Sequence, residues 1–174
     1  MDYQAFLIKY AEIGVKGKNR HLFEEALVRQ IVYALDKVEG SFRTVRENGR
    51  IYVLAEEEFD YSETVEALKH VFGISAICPV VQLQDEGFEV LREKVVDFMN
   101  AQYPGGNYSF KVHCRRARKN YPMRSQEMNA ELGDAILRAV PSSKVDVHSP
   151  DVYVYVEVRD HQINVYSISI PGAG

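Results

Sequence analysis

The sequence predicts an α+β fold built from two consecutive α/β parts. Three observations predict it. Apolar residues switch repeatedly between alternating spacing and three-to-four-residue spacing. Turn signals such as Asn-Gly and Pro-Gly-Gly separate these runs, and 46% of the 174 residues are hydrophobic whereas 26% are charged. This composition predicts a globular core, and the length fits one ordinary domain or two small packed ones.

The first six predicted elements are a strand over 3–10, a helix over 20–38, strands over 41–46 and 50–55, a helix from 61 to about 72, and a strand over 74–83. Asn19 is the predicted N-cap of the first helix, and Gly40 its predicted end. Asn48-Gly49 between two strand-like runs predicts a hairpin, and Asp60 with Glu63 resembles a capping box. This order, β-α-β-β-α-β, is the ferredoxin-like arrangement.

The second part is predicted as a helix over 87–102, a strand over 107–114, a helix from an N-cap at Ser125 to about 140, and strands over 145–147, 152–158 and 163–170. In the strand over 107–114 the side chains alternate. Phe110 and Val112 are expected on an apolar face with Cys114, whereas Lys111 and His113 are expected on the other face with Arg115.

Charge is segregated along the chain, although the net charge is only −4. Residues 56–66 carry six acids and no base, most simply a solvated helix entry, and residues 98–126 carry no acid. An acid-free field of cations can attract phosphates even in an acidic protein. We therefore predict RNA contact by a group of residues within this second stretch: Lys111, His113, Arg115, Arg116, Arg118, Lys119, Tyr121 and Arg124. Arginines suit phosphate oxygens, and Tyr121 is a candidate for stacking on an unpaired base.

A second candidate is the polar loop before the first helix, with Lys16, Lys18, Asn19 and Arg20. Its glycine allows close approach of the backbone to a ligand, and helix N-termini attract anions. For both candidates the alternative is a solvated turn whose cations pair with surface acids.

The sequence lacks the motifs of nucleotide-binding, metal-dependent, secreted and membrane-spanning proteins. There is no glycine-rich nucleotide loop, no HEXXH and no Cys-x-x-Cys, and no metal site is predicted. The N-terminus has no signal-peptide pattern, no apolar run is long enough to cross a membrane, and the two distant cysteines fit a reducing cytosol.

Two further features have competing interpretations. Cys114 lies beside two arginines, which could make it reactive, but its place on the apolar strand face favours a buried thiol. Tyr153 and Tyr155 alternate with valines and could form a base-stacking face, although a sheet face packed beneath helices is the preferred interpretation.

The opening from Tyr10 to Arg20, YAEIGVKGKNR, resembles the motif that opens tRNA 4-thiouridine synthetases, the tRNA sulfurtransferases. The stretch from Glu89 to Ile170 resembles a THUMP domain, an RNA-binding module, through FKVHCRR over 110–116, Leu132-Gly133, VDV over 145–147 and SPDV over 149–152. The resemblance covers essentially the whole chain and implies a ferredoxin-like domain over 1–75, a THUMP domain over 76–168 (which could begin as early as 60), and a linker starting at 169–174.

The family resemblance also implies a function. The two domains would hold the acceptor stem and 3′ CCA end of tRNA. A catalytic domain beyond residue 174 would use ATP and Mg to make 4-thiouridine near position 8, with sulfur from a cysteine desulfurase. In bacteria the family is linked to thiamine thiazole synthesis, and it works as a dimer. We therefore expect a cytoplasmic chain that binds tRNA, needs no cofactor of its own and does not catalyse.

Two alternatives stay open. The same module could belong to another THUMP-containing tRNA-modifying enzyme, or the chain could be a ferredoxin-like protein-interaction module without an RNA role. A stand-alone enzyme using Cys114 is the weakest possibility.

Overall fold

The computed structural model describes residues 1–10 and 18–174, with the side chain of Lys18 outside that description. The chain forms two compact units, one of residues 3–79 and 168–174, and one of residues 1–2 and 80–167. Each unit is described separately below.

The first unit has the predicted β-α-β-β-α-β order. Its elements are β1 Ala5–Tyr10, α1 Lys18–Leu35, β2 Phe42–Glu47, β3 Arg50–Ala55, α2 Tyr61–Lys69 and β4 Ile74–Leu83, whose first six residues belong here. The strand order is β2-β3-β1-β4, with β1 antiparallel to β3. Apolar residues of α1 and α2, such as Ile31 and Leu68, join Phe6 and Ile74 in one fully buried core.

Local signals explain several boundaries in this unit. Asp60 accepts a hydrogen bond from the Glu63 backbone N–H at 2.9 Å, so the predicted cap of α2 is confirmed. The predicted hairpin is also present, because Asn48 and Gly49 adopt positive φ angles of 46° and 80° between β2 and β3. Asn19 is not the N-cap of α1, because the helix already includes Lys18, and α1 ends at Leu35 rather than near 38.

The second unit contains α3 Phe88–Gln102, β5 Ser109–Arg116, α4 Ser125–Ala139, β6 Lys144–Val145, β7 Val152–Val158 and β8 Ile163–Tyr166. With the end of β4, its strands follow the order β4-β8-β7-β5-β6. Strand β5 is parallel to β6 and β7, whereas β7 and β8 form an antiparallel pair. Apolar side chains of α3 and α4, including Leu91, Val95, Leu132 and Ile136, are buried.

The last residues return to the first unit. Ile170–Pro171 form β9, which pairs with Ile77 and Ala76 of β4. The predicted long strand over 163–170 is therefore two short strands, and the backbone N–H groups of Gly172 and Gly174 donate to Ser75 and Ile74 at the start of β4. No helix in the described part of the chain is long and apolar enough to span a membrane.

A candidate nucleic-acid interface on the second unit

Strand β5 carries the predicted alternation. Phe110, Val112 and Cys114 are buried on the side where α4 packs, whereas His113 and Arg115 are exposed and Lys111 is half-buried. The structure thus brings three of the side chains predicted to contact RNA, Lys111, His113 and Arg115, into one row. We call this row, with the exposed residues Lys119 and Arg124 that follow it, the basic surface.

The next strand adds tyrosines to the same sheet face. In the parallel register of β5 and β7, Lys111 pairs with Tyr153 and His113 with Tyr155. Tyr153 is 39% exposed and Tyr155 is half-buried. The expectation that both tyrosines are packed beneath helices is therefore wrong for Tyr153.

Three other predicted residues form a structural cluster instead. The Arg118 guanidinium is ion-paired with Asp85 and lies 5.6 Å from the centre of the Tyr121 ring. Arg116 donates from Nη1 to the Tyr121 backbone oxygen at 3.1 Å. Tyr121 is only 5% exposed, so the predicted stacking of its ring on a base is not supported by its position.

Asp85 is the residue in this region that sequence reasoning missed. Partial burial acts to raise the pKa of Asp85, but hydrogen bonds from Arg118 and the Gly87 N–H, with the charge of Arg118, lower it below its ordinary value. Asp85 lies 33 residues before Arg118, and no local pattern links the two. The folded surface around the acid-free stretch therefore carries less positive charge than the sequence of that stretch suggests, because Asp85 pairs with Arg118.

The start of α4 differs from the prediction in one respect. The N-cap is Arg124, with extended backbone angles of φ −79° and ψ 153°, and no side chain caps the helix; Ser125 is the first helical residue. Arg124 itself is exposed. The N-terminus of α4 thus lies directly beside an exposed arginine, and both favour an anion.

Cys114 lies inside the unit. It is 5% exposed, and burial raises the pKa of the Cys114 thiol to about 12. Its backbone N–H donates to Asn129 Oδ1 at 2.7 Å, which ties β5 to α4. The interpretation of Cys114 as a buried thiol is confirmed, and a protonated, enclosed thiol is a poor nucleophile.

The second candidate site lies in the first unit. Lys16 is outside the described residues, as is the side chain of Lys18, and Asn19 is exposed in the first turn of α1. Arg20 is 41% exposed and lies 3.8 Å from Glu24; its Nη2 donates to the Gly49 backbone oxygen at 3.3 Å.

Glu24 organises this cluster. It accepts a hydrogen bond from the Tyr10 hydroxyl and also lies 3.7 Å from Arg46. Burial raises the pKa of Tyr10, and the hydrogen bond to Glu24 adds to the effect. Arg20 therefore has a structural role between α1 and the hairpin.

Comparisons with known proteins agree with this architecture. Residues 5–78 match the ThiI ferredoxin-like domain, and residues 86–167 match the THUMP domain. A probable tRNA sulfurtransferase of Lachnospira eligens is 56% identical over 99% of this chain, which covers 44% of that relative. A probable tRNA sulfurtransferase of Brevibacillus brevis is 40% identical over 100% of this chain and 43% of that relative.

Solved structures give the same result. A crystal structure of a 4-thiouridine synthetase–RNA complex with bound ATP superimposes with a TM-score of 0.83 and 30% identity, covering 98% of this chain and 42% of that chain. TrmN from Thermus thermophilus, with a TM-score of 0.62 and 20% identity over 96% of this chain and 46% of its own, shares the fold.

The two domains define a class, that of THUMP proteins with a preceding ferredoxin-like domain. Within this class the chain carries the ThiI ferredoxin-like domain followed by the THUMP domain, and over nearly its whole length it is similar to tRNA sulfurtransferases. It spans about 44% of the length of the curated relatives it matches.

Proposed function

We propose that this chain is the tRNA-binding module of a tRNA sulfurtransferase that makes 4-thiouridine, and that it holds the acceptor stem and the 3′ CCA end of tRNA. The observation that carries the proposal is the basic surface on and after β5, in a chain of net charge −4. The likeness over 98% of the chain to a 4-thiouridine synthetase solved with RNA supports the same ligand.

The partners of each cation decide which of them can bind phosphate. Lys111, Arg115, Lys119 and Arg124 form no ion pair with any other described residue, whereas Arg118 is neutralised by Asp85. An unpaired cation releases counterions from RNA when it meets a phosphate, and this release drives binding at low salt. The four unpaired cations are therefore the principal phosphate contacts in the proposal.

The role of the longer protein belongs to the same proposal. ATP and Mg would serve the chemical step outside this chain, a cysteine desulfurase would deliver sulfur, and a homodimer would present tRNA from one subunit to the other. The setting would be the bacterial cytoplasm, with a link to thiamine thiazole synthesis. The residues of this chain would bind and orient the tRNA. The first-unit residues Lys16, Lys18, Asn19 and Arg20 are proposed as a second set of contacts to the stem.

The test compares the tRNA affinities of two double variants, each of which removes two positive charges. Arg115→Ala with Arg124→Ala removes two unpaired cations and is expected to weaken binding by about 10-fold or more at low salt, with a shallower salt dependence. Arg138→Ala with Arg92→Ala removes two cations that pair with Asp134 and Glu131, and is the matched control. Equal losses in both variants would mean that net charge alone controls binding, and no loss in either would contradict the proposal.

A further inference from the structure

Three tyrosines form a continuous ring stack on the sheet face that carries the basic surface. Tyr153 and Tyr155 have ring centroids 6.0 Å apart at an interplanar angle of 17°, and Tyr155 and Tyr166 are 5.0 Å apart at 19°. Exposure falls along this stack, from 39% at Tyr153 to 3% at Tyr166. The stack is thus anchored at its buried end and open at Tyr153.

A lysine and a histidine flank the open end of the stack. Lys111 pairs in register with Tyr153, and the His113 ring meets the Tyr155 ring edge-on at 5.9 Å and 69°. An acid on this face, Glu157, lies at the other end of the stack, where it is 6% exposed and accepts a hydrogen bond from the Tyr166 hydroxyl at 3.3 Å. The open end therefore combines an aromatic surface with the positive charge of Lys111.

We propose that Tyr153, with Lys111 and His113, is a stacking platform for an unpaired nucleobase of the bound RNA. The inference rests on the proposed tRNA-binding function and assigns to it a site distinct from the buried Tyr121. An unpaired nucleotide offers the π face of its base to the ring and its flanking phosphates to the adjacent Lys111 amine. A base within a duplex has both faces covered by its neighbours, so the platform selects single-stranded nucleotides.

Rigidity favours this use of the tyrosines. Tyr153 belongs to a strand held in the middle of the sheet between β5 and β8, and its neighbour Tyr155 is braced by two further rings. A preorganised ring loses little conformational entropy when a base stacks on it. Tyr33, an exposed tyrosine on α1 at 74% exposure, contacts no other aromatic ring among the described residues and lies 5.9 Å from the Lys37 amine.

The test uses two RNA hairpins with the same stem, one blunt and one with a short single-stranded 3′ extension containing 2-aminopurine. We expect Tyr153→Thr, which keeps a residue suited to a strand, to weaken binding of the extended hairpin by about 10-fold. Binding of the blunt hairpin by Tyr153→Thr should change less than about 2-fold. The quenching of 2-aminopurine fluorescence that the unaltered chain causes on binding should be lost in this variant. Tyr153→Phe should behave as the unaltered chain, and Tyr33→Thr is the control for a lost exposed tyrosine.

The outcomes separate this inference from the proposed function. If the unaltered chain binds both hairpins and Tyr153→Thr affects neither, or both equally, the platform is wrong while RNA binding stands. If the unaltered chain binds neither hairpin at low salt, the proposed function fails and the platform fails with it. Lys111→Ala should weaken both hairpins, because it acts on phosphates.

Discussion

At the residue scale, the partners of each basic side chain decide what it can do. Arg115 and Arg118 are three positions apart in one acid-free stretch, yet Arg115 is exposed and Arg118 is paired with Asp85. Sequence alone predicts both as RNA contacts, because a pairing between residues 33 positions apart has no local signature. The same limit applies to Tyr121, which is buried, with its ring beside the Arg118 guanidinium and its backbone oxygen bonded to Arg116.

The Asp85–Arg118 pair gives a test at this scale. Asp85→Asn is expected to tighten tRNA binding by a few-fold, because it leaves the Arg118 charge without its carboxylate and adds a cation to the basic surface. Glu86→Gln removes the same charge from an exposed neighbour and should have a smaller effect. Equal effects of the two substitutions, measured by filter binding at one salt concentration, would contradict the role of the pair.

The Cys114 thiol predicts a pH dependence of stability. Its pKa is raised from 9.0 to about 12 by burial, so the unfolded state loses this proton first as pH rises. The stability that this group contributes is complete below pH 9 and is lost between pH 9 and about 12. For one proton the slope approaches about 1.4 kcal/mol per pH unit.

Urea unfolding at pH 8.5 and 10 tests this prediction. The free energy of unfolding of the unaltered chain should fall more steeply with pH than that of Cys114→Ala, because the tyrosines titrate in both. Identical slopes would show that the thiol is not buried in the way described. Iodoacetamide should also label Cys114 in a Cys78→Ala background only when urea is present.

At the element scale, the sequence predicts most strands and helices because their signals are local. Strands β4 and β7 agree with the predicted ranges, and the hairpin and the Asp60 cap are where turn and cap chemistry place them. The errors lie at element ends and in the role of exposed aromatics. The sequence favours a position beneath a helix for Tyr153, which is 39% exposed, because valine–tyrosine alternation does not reveal which sheet face the helices cover.

The β2–β3 hairpin gives the test at this scale. Gly49 has a φ of +80°, and a Cβ there would lie 2.5 Å from Arg20 Nη2. Gly49→Ala is therefore expected to lower the free energy of unfolding by about 1–2 kcal/mol, through backbone strain and displacement of Arg20. Asn48→Gly, at the other positive φ, should be tolerated. Chemical unfolding of both variants checks the contrast, and a neutral Gly49→Ala would contradict the described turn.

At the scale of the whole molecule, the segregation of charge matters more for RNA binding than the net charge does. The chain has 25 acidic and 21 basic residues among its Asp, Glu, Lys and Arg, a balance that would disfavour RNA if the charges were evenly mixed. Six acids are concentrated over 56–66, and the acid-free stretch supplies the basic surface on the second unit. The net charge alone therefore argues against RNA as a ligand, whereas the distribution of charge along the chain argues for it.

The most direct test of the account is the affinity of this chain for an unmodified tRNA across a salt series, with a tRNA lacking its CCA end alongside. The account predicts tight binding at low salt, a log–log slope corresponding to about four to six phosphates, and weaker binding without the CCA. An absence of binding at low salt, or an affinity that does not change with salt, would contradict it.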